Sequence, residues 1–466
     1  MNLLIQILIA LALMSSTMSE ETLTIADFKK NYFKIISANK GFYEVKAGFE
    51  NIKDEIVIGN GFVNKDLYVD IITVKKDRSI GYFYIFDVEN NEFKMAMQTP
   101  KLGDGQQIMS IKLTQIRNVG GLPDVVMVTS ESLKTGGIRT MLKGFSIKPV
   151  NPEAFQYKLD EISTYSYVND DTVANDLQEP FSYQLFEGNK AVTYFLFFKD
   201  GQRTLAYYNT DKAKFEEKSF AQVFGEKCDN CQSVDTTSKR RLPPVFTSAF
   251  IDINRDCRSD IILESVDENG QRWLEFYYYM NGGFGFIKEL PISETYSIGV
   301  VEDINENNNP DILFFDSSTK QLLIFLNNIN TKGQKEDFYC FENVKTDFPY
   351  PSLADPNNTD YRLVQDLVVG ADLSDYSADR MFNILRLGDF NLDSYKDLMV
   401  NLTVDGKDEV YLFLNVPCEK QHAQDLGVDN TICRYFDSTK IEEDDISIIK
   451  NKNAVQSSFF DFGERG

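Results

Sequence analysis

The stretch Asp252-Ile253-Asn254-Arg255-Asp256-Cys257-Arg258-Ser259-Asp260, followed at once by Ile261-Ile262-Leu263, sets the reading of the whole chain. Oxygen-bearing side chains stand at its positions 1, 3, 5 and 9, and an apolar run begins directly after the last. The spacing returns at Asp303, Asn305, Asn307 and Asp311, and again at Asp389, Asn391, Asp393 and Asp397, each time ahead of an apolar run. A hard cation such as Ca2+ takes about six to eight oxygen ligands, and alternate residues of a tight loop turn inward to supply them. Position 7 (Arg258, Asn309 and Tyr395) would lend a backbone carbonyl, which leaves its side chain free to vary. The pattern predicts two to three Ca2+ sites, the middle one weaker because two of its four side chains are amides. The competing reading is a set of Asx turns capping hairpins, since Asp and Asn readily bond their own backbone. Three carboxylates packed into one loop repel strongly without a cation, which favours the metal. An EF-hand is excluded: it needs a Glu at position 12 and flanking helices, whereas Leu263, Phe314 and Val400 stand there in β-type runs.

Outward from the loops, an Asp followed by an apolar strand marks a repeat at Asp70, Asp124, Asp260, Asp311 and Asp397. A unit of roughly 50–55 residues explains the intervals Asp70 to Asp124 and Asp260 to Asp311. The longer interval between Asp124 and Asp260 hides one more unit, centred on Val192-Thr-Tyr-Phe-Leu-Phe-Phe198, in which the Asp has been lost. The last interval is one unit enlarged by a loop over Pro349–Asp379. Each unit reads as strand, loop, strand, polar turn, third strand, then a fourth strand opened by a Phe: Phe93, Phe284 and Phe338. Four short antiparallel strands cannot bury both their faces alone, and stacking the units radially as propeller blades does so. The prediction is an all-β, seven-bladed β-propeller of four-stranded antiparallel blades over residues 41–466. The last blade is cut short after Asp461, the expected first position of another loop. The strand holding Trp273, Phe276, Tyr277, Tyr278 and Tyr279 is expected to be core between blades.

The net charge of -23 argues against a nucleic-acid partner, because nothing neutralises phosphates. Residues 1–19 read as a secretory signal peptide, with an apolar run from Leu3 to Met14 too short to span a bilayer, ahead of an N-terminal segment at 20–40. A short N-terminal anchor is the alternative. Six cysteines suit an oxidising route, with Cys418 and Cys433 the favoured pair. Asn357 and Asn401 open glycosylation sequons. The chain's single histidine, His422, leaves triads and His-rich zinc sites almost without material, so no catalytic residue is assigned. Lys239-Arg240-Arg241 reads as a solvated loop between blades, or else as a processing site.

These blades resemble FG-GAP repeats, the units of integrin α-subunit propellers; Asn281-Gly-Gly-Phe284-Gly285-Phe carries the naming dipeptide. The family loop reads D-x-D/N-x-D-G-x-x-D, and the three loops match it at the ligand positions. They depart at position 6, where Cys257, Asn308 and Ser394 replace Gly. A left-handed turn there would cost ~1–2 kcal/mol at Cys257 or Ser394 and less at Asn308. The loops before Asp70 and Asp124 have lost position 1 to Phe62 and Ile116 and are expected to be metal-free. More narrowly, the signal peptide, the degenerate early blades and Gly388-Asp389-Phe390-Asn391-Leu-Asp393 ahead of Leu414-Asn415-Val416-Pro417-Cys418 resemble the T-cell immunomodulatory protein family. That resemblance implies a secreted or cell-surface calcium-binding propeller that meets an extracellular or membrane protein partner in adhesion or immunomodulation. It also implies a type I membrane form if a longer C-terminal product exists. The alternative function is a calcium-dependent glycan-binding or polysaccharide-lyase-type propeller.

Overall fold

A computed structural model of the chain describes residues 54–64, 66, 68–90, 92–117, 121–134, 137–169, 180–187, 190–199, 202–225, 240–243, 248–280, 282–304, 309–316, 321–325, 327, 362–366, 385–388, 395–404, 407–417 and 434–437. All of them belong to the unit made of Val45–Phe390 and Tyr395–Gly466.

The described residues form six four-stranded sheets, each with its strands paired in chain order. The first holds β1 (Glu55–Gly61), β2 (Asp70–Lys75), β3 (Gly81–Asp87) and β4 (Glu92–Gln98). The second holds β5 (Gln106–Thr114), β6 (Asp124–Ser132), β7 (Ile138–Asn151) and β8 (Gln156–Asn169). The third holds β9 (Phe181–Glu187), β10 (Lys190–Lys199), β11 (Gln202–Asn209) and β12 (Lys214–Ser219). The fourth holds β13 (Ala249–Ile251), β14 (Asp260–Val266), β15 (Arg272–Met280) and β16 (Gly283–Ile292). The fifth holds β17 (Tyr296–Glu302), β18 (Asp311–Asp316), β19 (Gln321–Phe325) and β20 (Arg362–Asp366), and the sixth β21 (Leu385–Gly388), β22 (Asp397–Val404), β23 (Lys407–Pro417) and β24 (Arg434–Asp437). Every strand pair is antiparallel, so the molecule is all-β and built of propeller-type blades. The unit that lost its Asp is the third sheet, with Val192–Phe198 inside β10 as expected. The seventh blade, expected near Asp461, lies outside the described residues.

The stacking follows from residue alternation in the second strand of each sheet, whose side chains point to opposite faces by turns. In β6, Val125 and Met127 pack with Ile72, Val74 and Phe83 of the first sheet. Val126 and Val128, between them in sequence, pack with Phe195 and Phe197 of the third. On the other face of β10, Tyr194 and Leu196 meet Ile261, Leu263 and Tyr277 of the fourth sheet. Ile262, Phe276 and Tyr278 then meet Ile312 and Phe314 of the fifth. A central strand buried on both faces must read as a near-continuous apolar run, which β6, β10 and β14 do. Phe276, Tyr277 and Tyr278 are therefore core between blades, as expected. One short helix, α1 (Phe220–Phe224), follows β12 and presses Phe220, Val223 and Phe224 into the seam between the third and fourth sheets.

Two expectations are corrected. Phe93 and Phe284 do stand at the start of fourth strands. In the fifth sheet, however, the strand beside β19 is Arg362–Asp366, so Phe338 does not open it and the supposed loop over Pro349–Asp379 contains an edge strand. Nor is Arg240-Arg241 a solvated loop between blades. Arg241 exchanges backbone hydrogen bonds with Val266 at 2.9 and 2.8 Å, while the Arg240 guanidinium lies 4.3 Å over the Trp273 ring and bonds Glu289. Beneath it, Arg203 of β11 grips Glu275 of β15 with two bonds of 2.6 and 2.8 Å, in a seam where both side chains are buried. Asn401 sits inside β22 opposite Val410; Asn357, Lys239, Cys418 and Cys433 lie outside the described residues, as do residues 1–40.

Candidate metal centre

The first loop joins β13 to β14, and its carboxylates hold the turn itself. Asp252 accepts the Asp256 N–H at 3.2 Å on Oδ1 and the Cys257 N–H at 2.8 Å on Oδ2. The Asn254 oxygen accepts the Asp256 N–H at 3.0 Å, and Asp256 accepts the Arg258 N–H at 2.9 Å. These are Asx turns in series. They wind the chain so tightly that Cys257 takes a φ of 62°, the left-handed conformation expected at position 6, and Arg255 at position 4 takes the same value.

Asp260 does something else. Fully buried at the head of β14, it accepts the Ile253 N–H at 2.9 Å on Oδ2 and the Tyr279 N–H at 2.8 Å on Oδ1, tying the loop to the third strand. Burial raises all three carboxyls; for Asp260, taken well above the ordinary value, the Tyr279 amide opposes the shift while the charges of Asp256 and Asp252 add to it. Among the described residues none of the three is ion-paired to a basic side chain.

The same staple recurs. Asp70 accepts the Val63 N–H at 2.7 Å and the Phe86 N–H at 3.1 Å, and above it Asn64 and Asp66 accept the amides of Asp66 and Tyr68. Asp311 accepts the Ile304 N–H at 3.1 Å and the Asn327 N–H at 2.8 Å, and Asp397 accepts the Asn415 N–H at 2.9 Å. Asp124 accepts the amides of Ile116 and Arg117, and here the Arg117 guanidinium closes on the carboxylate at 2.7 Å. The ninth position thus has a task independent of any ion, since Asp70 performs it in a loop where Phe62 has replaced the first ligand.

The donor set of the first loop fits Ca2+ by chemistry: the carboxylates of Asp252, Asp256 and Asp260, the Asn254 amide and the Arg258 carbonyl are all hard oxygens. As arranged, no three acidic side chains among the described residues gather around one point. Taking an ion would therefore require Asp252 and Asp256 to exchange backbone N–H partners for the cation. In the second loop Asp303, Asn309 and Asp311 are described, Asn309 donating to the Asn327 carbonyl at 3.4 Å, while Asn305 and Asn307 lie outside. Of the candidate ligands of the third loop Tyr395 and Asp397 are described; Asp389, Asn391 and Asp393 lie outside. Arg117, Asn327 and Asn415 are not marked by the loop spacing, although Phe325-Leu-Asn327 and Phe413-Leu-Asn415 share a tripeptide.

The described residues thus define an all-β protein of repeated four-stranded blades with an acidic loop between the first and second strands of a blade. No family model and no curated protein matches the chain. Among solved structures it is similar to Saccharomyces cerevisiae Sqt1, with 10% identity, 82% of this chain and 73% of that one covered, and a TM-score of 0.38. It is also similar to the WD40 domain of SCAP from fission yeast, with 10% identity, 77% and 71% covered, and a TM-score of 0.35. A protein from Lactobacillus plantarum has 11% identity, 56% and 64% covered, and a TM-score of 0.30. At these values the fold rests on the strand pairing itself. No helix among the described residues is long and apolar enough to cross a membrane.

Proposed function

We propose that the protein is a calcium-binding β-propeller of the FG-GAP type, exported through the secretory pathway, that acts at or outside the cell surface by binding a protein partner in adhesion or immunomodulation. The observation that carries the calcium reading is the first loop: three carboxylates within one nine-position turn, none ion-paired to a described basic side chain. Its counterpart in the second sheet supplies the contrast, since there a guanidinium meets the buried Asp124. A cation held by Asp252, Asn254, Asp256, Arg258 and Asp260 would neutralise the cluster and add its binding free energy to that of folding. The loops are polar connections on a rigid sheet scaffold, the usual place for a recognition surface.

Equilibrium dialysis of the purified chain against Ca2+ tests the reading. It is expected to show two to three bound ions, reduced by one in Asp252→Asn/Asp256→Asn; no bound Ca2+, or an undiminished count in the double variant, would overturn it. Crosslinking of the labelled protein to intact cells, with and without EDTA, then tests for a calcium-dependent protein partner.

A further inference from the structure

The staples of successive sheets are joined to one another. Asn327 donates its backbone N–H to Asp311 in its own sheet, at 2.8 Å, and its side-chain amide to the Ile253 carbonyl in the preceding one, at 2.9 Å. Asn415 repeats the move one sheet further on: its backbone N–H goes to Asp397 at 2.9 Å and its side-chain amide to the Ile304 carbonyl at 3.1 Å. Ile253 and Ile304 occupy the second position of their loops, and each gives its own N–H to the ninth-position Asp. The bonds therefore run in series: Asp260 to Ile253, Ile253 to Asn327, Asn327 to Asp311, Asp311 to Ile304, Ile304 to Asn415, and Asn415 to Asp397. Both asparagines are completely buried, where an amide that loses its partner is costly.

The residue type follows the need. The position that donates its N–H to the ninth Asp is Asn in the fifth and sixth sheets, which follow sheets with a complete acidic loop. It is Tyr279 in the fourth, which follows the sheet that lost its Asp, and Phe86 in the first. Asn appears where there is a loop behind it to hold.

We infer that Asn327 and Asn415 are positioning residues that couple the loops of the fourth, fifth and sixth sheets into one cooperative unit, so that ordering one loop orders its neighbours. The coupling belongs to the chain without metal and adds to the calcium reading rather than resting on it. With Ca2+ bound, the same relay makes occupancy of one loop raise the affinity of the next, because each bond fixes the backbone that presents the following set of oxygens.

Hydrogen exchange on the full chain in EDTA, read on peptides containing Ile253, Ile304 and Val63, tests it. Val63 makes the same staple to Asp70 outside the relay and serves as the control. Asn415→Ala keeps the backbone bond to Asp397 and removes the side-chain bonds, to the Ile304 carbonyl of the preceding sheet and, at 3.1 Å, to the Lys396 carbonyl of its own loop. Exchange at Ile304 and also at Ile253, one loop further away, is expected to quicken about ten-fold, the factor equivalent to ~1.4 kcal/mol, with Val63 unchanged. Quickening confined to Ile304, no change at either, or an equal change at all three would overturn the inference. Should the variant fail to fold, the unaltered protein decides: Ile253 and Ile304 are expected to share one opening free energy and one denaturant dependence in native-state exchange. Two separate isotherms would overturn the proposal.

Discussion

Buried acids behave in opposite ways in this molecule according to what faces them. Burial alone would raise Glu275, but the Arg203 charge, with bonds from Arg203, Ser265 and Tyr277, outweighs it and holds the carboxyl at about 2 against an ordinary 4.5. The folded chain then binds that proton less readily than the unfolded one. Its stabilisation is complete above about pH 4.5 and is lost as the pH falls towards about 2. Asp70 runs the other way. Burial lifts it from 3.8 to about 7, against the amides of Val63 and Phe86, so between those values the folded chain holds a proton the unfolded chain has released. Stability therefore falls as the pH rises through that window. Urea midpoints across pH 3 to 8 check both. Glu275→Gln, which leaves Arg203 buried beside a neutral amide, is expected to lose ~3–5 kcal/mol and flatten the acid limb. Asp70→Asn is expected to flatten the decline between about pH 4 and 7; a slope equal to that of the unaltered chain contradicts the account.

At the scale of strands, a fixed sheet spacing means that the seam between sheets has no spare volume. A Cβ added at Gly81 would run into Ile111 Cδ1 and lie 3.2 Å from Thr99 Cγ2, so Gly81→Val is expected to destabilise by ~1–3 kcal/mol in a thermal melt. The apolar runs of β6, β10 and β14 made the stack legible from sequence, even in the third sheet where the Asp marker is missing, because strands buried on both faces need no alternation. Short edges were not legible: β20 is five residues, Arg-Leu-Val-Gln-Asp, with too few apolar positions to stand out from a loop. The fate of Arg240 was equally hidden, since Glu275 and Glu289 lie 35 and 49 residues away along the chain and nothing local announces them. Because Arg240 and Arg241 are held by Trp273, Glu289 and Val266, limited trypsin digestion of the folded chain is expected to spare both bonds. Early cleavage there would contradict the seam as described.

For the molecule as a whole, the acidic repeat serves two ends that sequence spacing cannot separate. Among the described residues the ninth Asp bonds an amide at or just past the third strand in the first, fourth, fifth and sixth sheets, and in the second it holds its own loop and Arg117 instead. The first, third and fifth positions carry side chains whose only further use would be an ion, which the seventh carbonyl and the ninth Asp would share. This division explains why the repeat was visible in the first sheet although its first ligand is Phe62, and why the links through Asn327 and Asn415 were not foreseen: they depend on register between sheets. The most direct measurement is the melting temperature of the unaltered chain in saturating Ca2+, in Mg2+ and in EDTA, beside that of Asp252→Asn/Asp256→Asn. A ligand at about 100 times its Kd adds ~2.7 kcal/mol per site, so Ca2+ is expected to raise the melting temperature of the unaltered chain by several degrees, Mg2+ by far less, and the double variant to lose the share of one site from that response. A melting temperature indifferent to Ca2+, or a double variant that responds as fully as the unaltered chain, would contradict it.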